Sequence, residues 1–157
     1  MSLFSGCSNH QLDDKARLIL PRRVLDRVAV DEQQFTLTAG PEGCLLLLPT
    51  EEWKRFVAPH AKSVIGSRRE RMRRRLILGH SEPVAPDRSG RLVLPEALRN
   101  YAGITANGEV WLVGLGKTVE IWNPQRWAEQ LAACWQDGSL FDDVDNPRED
   151  DPVGATP

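Results

Sequence analysis

The stretch Asp13-Asp14-Lys15-Ala16-Arg17-Leu18-Ile19-Leu20-Pro21 recurs 74 residues later as Asp87-Arg88-Ser89-Gly90-Arg91-Leu92-Val93-Leu94-Pro95. The same offset holds without a gap as far as Trp53 and Trp127, and seven of the 41 aligned positions are identical. A constant offset through several turns indicates duplication of one unit, and each copy is longer than a solenoid repeat. The sequence therefore predicts a duplicated domain with two similarly placed surfaces.

The length and composition are typical of a soluble globular protein. With 157 residues, 41% hydrophobic and 27% charged, the chain can bury one ordinary core, as one domain or two small halves. Cys7, Cys44 and Cys134 are scattered and odd in number, which favours a reducing compartment over a disulfide framework. The chain has no apolar run near 18 residues and no basic-then-apolar leader. We therefore expect no membrane span, no secretory signal and a cytoplasmic location.

The net charge of −2 conceals a strong separation of charge along the chain. Residues 62–75 contain seven Lys or Arg and one Glu, a local balance of +6. Residues 137–151 contain seven Asp or Glu and one Arg, a balance of −6. The Arg-rich run is suited to a polyanion through counterion release, but a solvated helix face or pairing with the acidic tail, within or between subunits, explains it equally well.

Each copy predicts the order strand, helix, strand, strand, closing helix, and therefore an α+β fold. The short apolar runs 18–20 and 92–94 indicate buried strands, and the prolines after them suit the first turns of helices over 21–28 and 95–102. Two further strands follow in each copy, at 34–38 and 44–48 and at 109–113 and 118–122. Ser67-Arg68-Arg69-Glu70 forms a capping box at the start of an Arg-rich helix.

These features divide the chain into five segments. The two repeats are expected at residues 7–54 and 81–124, with an Arg-rich helical connector at 55–80 between them, a C-terminal helix at 125–138, and a tail at 139–157. The tail is rich in Asp and Pro and has few apolar residues, so we expect it to be a disordered acidic tail.

The Asp-x-x-x-Arg pairs are the candidate binding residues. A carboxylate at a turn start accepts backbone N–H groups, so Asp13 and Asp87 would hold the loops and Gly90 would supply backbone freedom. The guanidinium fork of Arg17 and of Arg91 then suits phosphate or guanine. The remaining candidate cations are Lys15, Arg88, Arg22 and Arg23. An internal salt bridge that only holds the turn explains each Asp–Arg pair about as well.

The sequence does not favour an enzyme. His10, His60 and His80 are isolated, without the spacing of metal ligands. The chain has neither a phosphate-binding Gly-rich loop nor a nucleophile elbow. We therefore expect no catalytic residue, no metal, no cofactor and no small-molecule substrate.

Between about Phe4 and Trp127 the chain closely resembles the MraZ family of bacterial transcriptional regulators. The resemblance rests on a Phe-x-Gly start, the Leu-Asp-x-Lys-x-Arg-Leu-x-x-Pro signature and its second copy Asp-x-x-Gly-Arg-x-x-x-Pro, together with Leu78-Gly79-His80, Arg99-Asn100-Tyr101-Ala102-Gly103 and Glu120-Ile121-Trp122. It implies two SpoVT-AbrB-type units, a double-split β-α-β (swapped-hairpin-like) small barrel with helices, and assembly into a homo-oligomeric ring. It also implies binding to double-stranded DNA at repeated promoter boxes of the division and cell-wall gene cluster, including the protein's own gene, usually as a repressor associated with the nucleoid.

Carried over by position, the resemblance makes Arg17 and Arg91 the DNA-reading arginines and Lys15 and Arg88 phosphate contacts. The chain departs from the family pattern at Ala16, where Gly is usual; a positive φ there costs Ala about 1 kcal/mol and would reshape the loop. The alternative function is a ring-forming scaffold or protein-interaction module with weak or no DNA binding. An antitoxin-like member of the AbrB class would usually be a shorter chain with one copy, and the duplication argues against it.

Overall fold

The structure, a computed structural model, describes residues 3–28, 34–142 and 144. The strands are β1 (Cys7–Gln11), β2 (Arg17–Ile19), β3 (Phe35–Ala39), β4 (Leu45–Pro49), β5 (Glu82–Val84), β6 (Arg91–Val93), β7 (Glu109–Gly114) and β8 (Val119–Trp122). The helices are α1 (Arg22–Leu25), α2 (Thr50–Val57), α3 (Arg68–Ile77), α4 (Glu96–Ala102) and α5 (Pro124–Gln136). Equivalent strands and helices of the two copies lie 74 residues apart, which confirms the α+β class and the predicted series of strand, helix, strand, strand and closing helix. The first strand of each copy, β1 and β5, was not predicted and precedes that series.

The strands form two antiparallel sheets. The larger sheet has the order β1-β7-β8-β4-β3-β5, and the smaller sheet is the ribbon β2–β6. The two copies exchange their first strands, because β1 of the first copy pairs with β7 of the second and β5 of the second pairs with β3 of the first. The copies therefore share their sheets, and neither copy has a sheet of its own.

Both sheets contribute to one core, in which leucine is the commonest residue. Leu18 and Leu92 are fully buried and face each other in the ribbon, and Leu20 and Leu94 follow them. Leu37, Leu47, Leu112 and Ile121 extend the same cluster through the larger sheet. The matched leucines of the two copies therefore meet in one core instead of forming two.

Several predicted boundaries are corrected by the structure. The first short helix covers only Arg22–Leu25, against the predicted 21–28, whereas its counterpart α4 runs to Ala102 and ends at Gly103 in the left-handed conformation. The middle residues of the predicted buried strands, Ile19 and Val93, are 60% and 55% exposed. A ribbon with one covered face buries only alternate residues, so the expectation of full burial was wrong at these two positions.

The chain divides into a unit of residues 1–124 and a unit of residues 125–157. In the second unit, Asp137 caps a 3₁₀ turn over Gly138–Phe141, so the predicted disorder is wrong for the first residues of the tail. The rest of that prediction, at residues 143 and 145–157, lies outside the described residues. No helix in the described ranges is both long and apolar enough to cross a membrane.

Candidate nucleic-acid interface

The first Asp–Arg loop, residues 13–17, is organised by the carboxylate of Asp13. Its Oδ1 accepts the backbone N–H groups of Lys15 and Arg17, both at 2.9 Å. Its Oδ2 accepts Nε of Arg17 at 2.6 Å. The backbone N–H of Ala16 donates to the Asp13 carbonyl at 3.1 Å and closes the turn. One carboxylate thus fixes both the backbone of the loop and the direction of the guanidinium.

The second Asp–Arg loop, residues 87–91, repeats this geometry. Oδ1 of Asp87 accepts the N–H groups of Ser89 and Arg91 at 2.9 and 3.0 Å, and Oδ2 accepts Nε of Arg91 at 2.8 Å. The Gly90 N–H donates to the Asp87 carbonyl at 2.9 Å. In the described part of the chain, both guanidinium groups are bonded through Nε alone, which leaves their Nη groups for a partner. The internal salt bridge therefore exists in both loops and is compatible with binding.

The same hydrogen bonds lower the pKa of both loop carboxyls. The largest cause at Asp13 is the backbone N–H of Arg17, and at Asp87 it is the backbone N–H of Arg91. The guanidinium of each arginine and the N–H two residues after each aspartate lower the pKa further, while desolvation opposes them. The carboxylates are therefore charged throughout the neutral range and remain acceptors for the loops.

Positions 16 and 90 both adopt the left-handed backbone conformation. The φ angle is +56° at Ala16 and +77° at Gly90. The alanine does not reshape the first loop, because its hydrogen bonds match those of the second loop. Both residues are buried, and their carbonyls accept N–H groups across the ribbon, from Leu94 to Ala16 at 3.0 Å and from Leu20 to Gly90 at 2.8 Å. Each loop is thus braced by the strand of the other copy.

The β2–β6 ribbon carries both arginines on one outward face. Arg17 is paired with Val93, and Ile19 with Arg91. Directly opposed residues share a face of a sheet, as do residues two apart, so these four side chains lie together opposite the buried leucines. We call Arg17, Ile19, Arg91 and Val93 the outer ribbon face. Sequence reasoning missed its two apolar members, although the period-two alternation of the ribbon was the signal that could have identified them.

The other predicted cations occupy different surroundings. Lys15 and Arg88 are exposed in the two Asp–Arg loops, and Arg22 is exposed on α1. Arg23 is partly buried, and its guanidinium donates to the Ser5 carbonyl at 2.7 Å, to Ser8 Oγ at 2.8 Å and to the Leu112 carbonyl at 3.2 Å. The structure therefore ties Arg23 to the β1–β7 edge of the larger sheet. In the described ranges, no group of three His, Cys, Asp or Glu side chains could hold a metal ion.

Comparison with known proteins gives one consistent result. A family model described as "MraZ protein, putative antitoxin-like" matches residues 3–75 and 77–146. A protein of Thioalkalivibrio sulfidiphilus named transcriptional regulator MraZ is 36% identical over 128 residues, which cover 81% of this chain and 84% of that protein. A protein of the same name from Roseiflexus castenholzii is 31% identical over 139 residues, covering 88% and 94%. The name shared by these relatives is that of a transcriptional regulator and not of an enzyme, and this chain belongs to the MraZ family.

Proposed function

We propose that the chain is a sequence-specific DNA-binding transcriptional regulator and that the outer ribbon face reads the DNA. The observation that carries the proposal is the pair of arginines fixed by Asp13 and Asp87 on one exposed ribbon. A two-stranded antiparallel ribbon fits the major groove, where Arg donates two hydrogen bonds to guanine O6 and N7. Ile19 and Val93, between the arginines, offer apolar contact to thymine methyl groups.

The spacing of the two arginines suits stacked base pairs. Arg17 and Arg91 are diagonal neighbours in the ribbon, and such neighbours lie roughly 7–8 Å apart, with their Cβ atoms somewhat closer. This is about the rise of two base-pair steps at about 3.4 Å each. We expect the two arginines to contact bases about two steps apart. Because the chain is duplicated, the two contacts should be related by an approximate twofold symmetry.

Phosphate contacts are the proposed role of the flanking cations. Lys15 and Arg88 extend from the loops beside the ribbon, and Arg22 lies on the helix that follows β2. Such contacts position a protein on the duplex without reading the sequence. Arg23 is a weaker candidate than Arg22, because its guanidinium already holds three protein acceptors.

The finer features implied by the resemblance belong to the same proposal. The chain would adopt the double-split β-α-β barrel of SpoVT-AbrB units, assemble into a homo-oligomeric ring, and repress the division and cell-wall gene cluster, including its own gene, in the cytoplasm at the nucleoid. The strand exchange between the copies supports a swapped arrangement of this kind. A ring would present many ribbons to repeated promoter boxes, and linked sites multiply affinity by about 10²–10⁴ when the spacing matches.

The test is fluorescence-anisotropy binding of the full chain to a three-box duplex from its own upstream region, across a salt series. Arg17→Ala with Arg91→Ala should abolish binding, since each bidentate contact contributes about 1–3 kcal/mol. Arg55→Ala with Lys54→Ala, on α2 where both residues are exposed partners of glutamates, is the matched control and should bind as the unmodified chain does.

Two outcomes would contradict the proposal. Unmodified chain that fails to bind even at low salt would favour the scaffold function. If the variant without the two arginines bound DNA as tightly as the unmodified chain, the DNA-binding surface would not be the ribbon. For the unmodified chain, log affinity should fall with log salt at about −0.9 for each phosphate neutralised.

A further inference from the structure

The six arginines of α3 fall into two groups with different tasks. Arg71 and Arg74 are committed to the segment that precedes the helix. Arg71 donates to the Gly66 carbonyl at 2.8 Å, and Arg74 donates to the carbonyls of Ser63, at 2.5 Å, and Ile65. These two side chains therefore stabilise the local backbone and are not part of an open surface.

The remaining four arginines surround an apolar pair. Met72 and Leu76 lie one helical turn apart and are 50% and 39% exposed. They share a shallow surface, which we call the α3 basic face, with Arg68, Arg69, Arg73, Arg75 and His80. Glu70 is not part of this surface, because its carboxylate accepts the Ser67 N–H at 2.8 Å in the capping box. Within the described ranges, none of the four guanidinium groups has a hydrogen-bond or ion-pair partner.

The composition of the α3 basic face determines the chemistry of its partner. Phosphate groups would satisfy the arginines but leave Met72 and Leu76 against water. A segment that combines carboxylates with closely spaced apolar side chains would suit both the arginines and the apolar pair. Its apolar side chains would contact the centre of the surface, and its carboxylates would form ion pairs around that centre. The surface therefore favours an acidic, partly apolar peptide over a nucleic-acid backbone.

The C-terminal part of the same chain has this composition. Residues 137–151, which we call the acidic segment, contain seven acids and one arginine. Among them, Leu140, Phe141 and Val144 are 53%, 83% and 58% exposed. Asp142 and Asp143 stand between Phe141 and Val144 in the sequence. Exposed apolar side chains thus lie close to carboxylates in the sequence, in a segment whose charge of −6 is opposite in sign to the four arginines of the α3 basic face.

We propose that the α3 basic face docks the acidic segment of a second copy of the chain. Phe141 and Val144 would cover Met72 and Leu76, while the aspartates pair with the surrounding arginines. The acidic segment of a second copy is the occupant because its carboxylates complement the arginines and its apolar side chains complement Met72 and Leu76. The proposal does not depend on DNA binding, and it gives the acidic segment the task of linking neighbouring copies.

Photo-crosslinking of the full chain tests this docking. A chain with p-benzoylphenylalanine at position 141 is mixed with unmodified ¹⁵N-labelled chain, and the mixture is unfolded in urea and refolded so that copies exchange. After irradiation, mass spectrometry should find light–heavy crosslinks that end within 68–76 of the heavy chain. Crosslinks confined to a single chain, or ending elsewhere, would overturn the proposal.

Charge reversal separates docking from loss of folding. Arg69→Glu with Arg73→Glu in the heavy chain should lower the crosslink yield about ten-fold, since two ion pairs become repulsions. Asp142→Arg with Asp143→Arg in the light chain should restore the yield. Lys54→Glu with Lys117→Glu, two exposed lysines outside residues 62–75, is the matched control and should leave it unchanged. An unchanged yield in the arginine variant, or failure of the restoring pair, would overturn the docking and leave α3 to DNA.

Discussion

At the scale of single residues, the aspartate defines the Asp–Arg loop more strongly than the residue with positive φ. The two loops differ at three of their five positions, including Ala16 and Gly90, and still make the same set of hydrogen bonds. The carboxylate accepts three of these hydrogen bonds in each loop and so fixes the conformation of the turn. The residue before the arginine adopts a positive φ as a consequence. The loop therefore tolerates an alanine where glycine costs less strain.

Glycine at position 90 nevertheless contributes measurably to the free energy of unfolding. In Gly90→Ala, the new Cβ would lie 3.2 Å from Cδ1 of Leu25 at a φ of +77°, so we expect a loss of about 1–2 kcal/mol in the free energy of unfolding. Ala16→Gly relieves similar strain but removes a buried methyl group, so it should change stability by less than about 1 kcal/mol. Urea unfolding measures both, and an equal loss in the two variants would contradict this account.

The lowered pKa of the loop carboxyls predicts how the loops respond to acid. A carboxyl whose pKa is lower in the folded than in the unfolded state stabilises the fold above its unfolded pKa, and this contribution is lost as the pH falls through the folded value. The stability difference between unmodified chain and Asp13→Asn with Asp87→Asn should therefore be constant above about pH 5 and shrink below about pH 4.

Thermal unfolding followed from pH 3 to pH 7 would measure this difference. Asp14→Asn is the matched control, because Asp14 is exposed and its carboxylate takes no part in the hydrogen bonds described for the loop. If the stability difference grew as the pH fell, the pKa of the loop carboxyls would be raised by folding and not lowered. That result would contradict the role of their hydrogen bonds described above.

At the scale of elements, the β2–β6 ribbon has one face buried in the core and one exposed face, to which we assign the proposed DNA contact. The buried face places Leu18 against Leu92 in the shared core, whereas the outer ribbon face alternates arginine with exposed aliphatic side chains. Strand periodicity produces this division, since side chains one residue apart point to opposite faces. Neighbouring residues of one strand therefore have different effects when changed.

Truncation of neighbouring residues in β2 should show this contrast. Leu18→Ala removes a fully buried side chain and should cost about 2–5 kcal/mol. Ile19→Ala changes a side chain that is 60% exposed and should cost less than about 1 kcal/mol, yet it should weaken DNA binding. Leu92→Ala and Val93→Ala repeat the comparison in β6. Chemical denaturation and anisotropy measure the two effects, and an Ile19→Ala variant with full DNA affinity would remove the apolar contact from the proposed interface.

At the scale of the whole molecule, the exchanged strands join the two copies into one body with a single core. Each Asp–Arg loop is braced by the strand of the other copy, so Arg17 and Arg91 are held by one ribbon and not by two independent domains. A single ribbon offers only a few base contacts. Under the proposed function, several ribbons acting together would raise the affinity, and this is why we expect a repetitive DNA target.

The number of boxes in the DNA should therefore dominate affinity. Duplexes with one and three boxes should differ by about 100-fold or more in Kd, because the later contacts are made at a high effective concentration. Moving the middle box by half a helical turn, about five base pairs, should remove most of the gain. Sedimentation velocity of the free chain would measure its oligomeric state. Equal affinity for duplexes with one and with three boxes would contradict the prediction that box number dominates affinity.

The sequence by itself determined the duplication, the order of strands and helices from β2 to α2 and from β6 to α5, the Asp–Arg loops and the capping box of α3. Each of these rests on local chemistry or a constant offset, so each is readable without knowing which segments meet. Only the tertiary structure decided that the copies exchange β1 and β5, that Ile19 and Val93 face outward, and that Arg23 holds a sheet edge. These outcomes depend on pairings between residues 45 or more positions apart, and burial at any one position follows from what those distant partners cover.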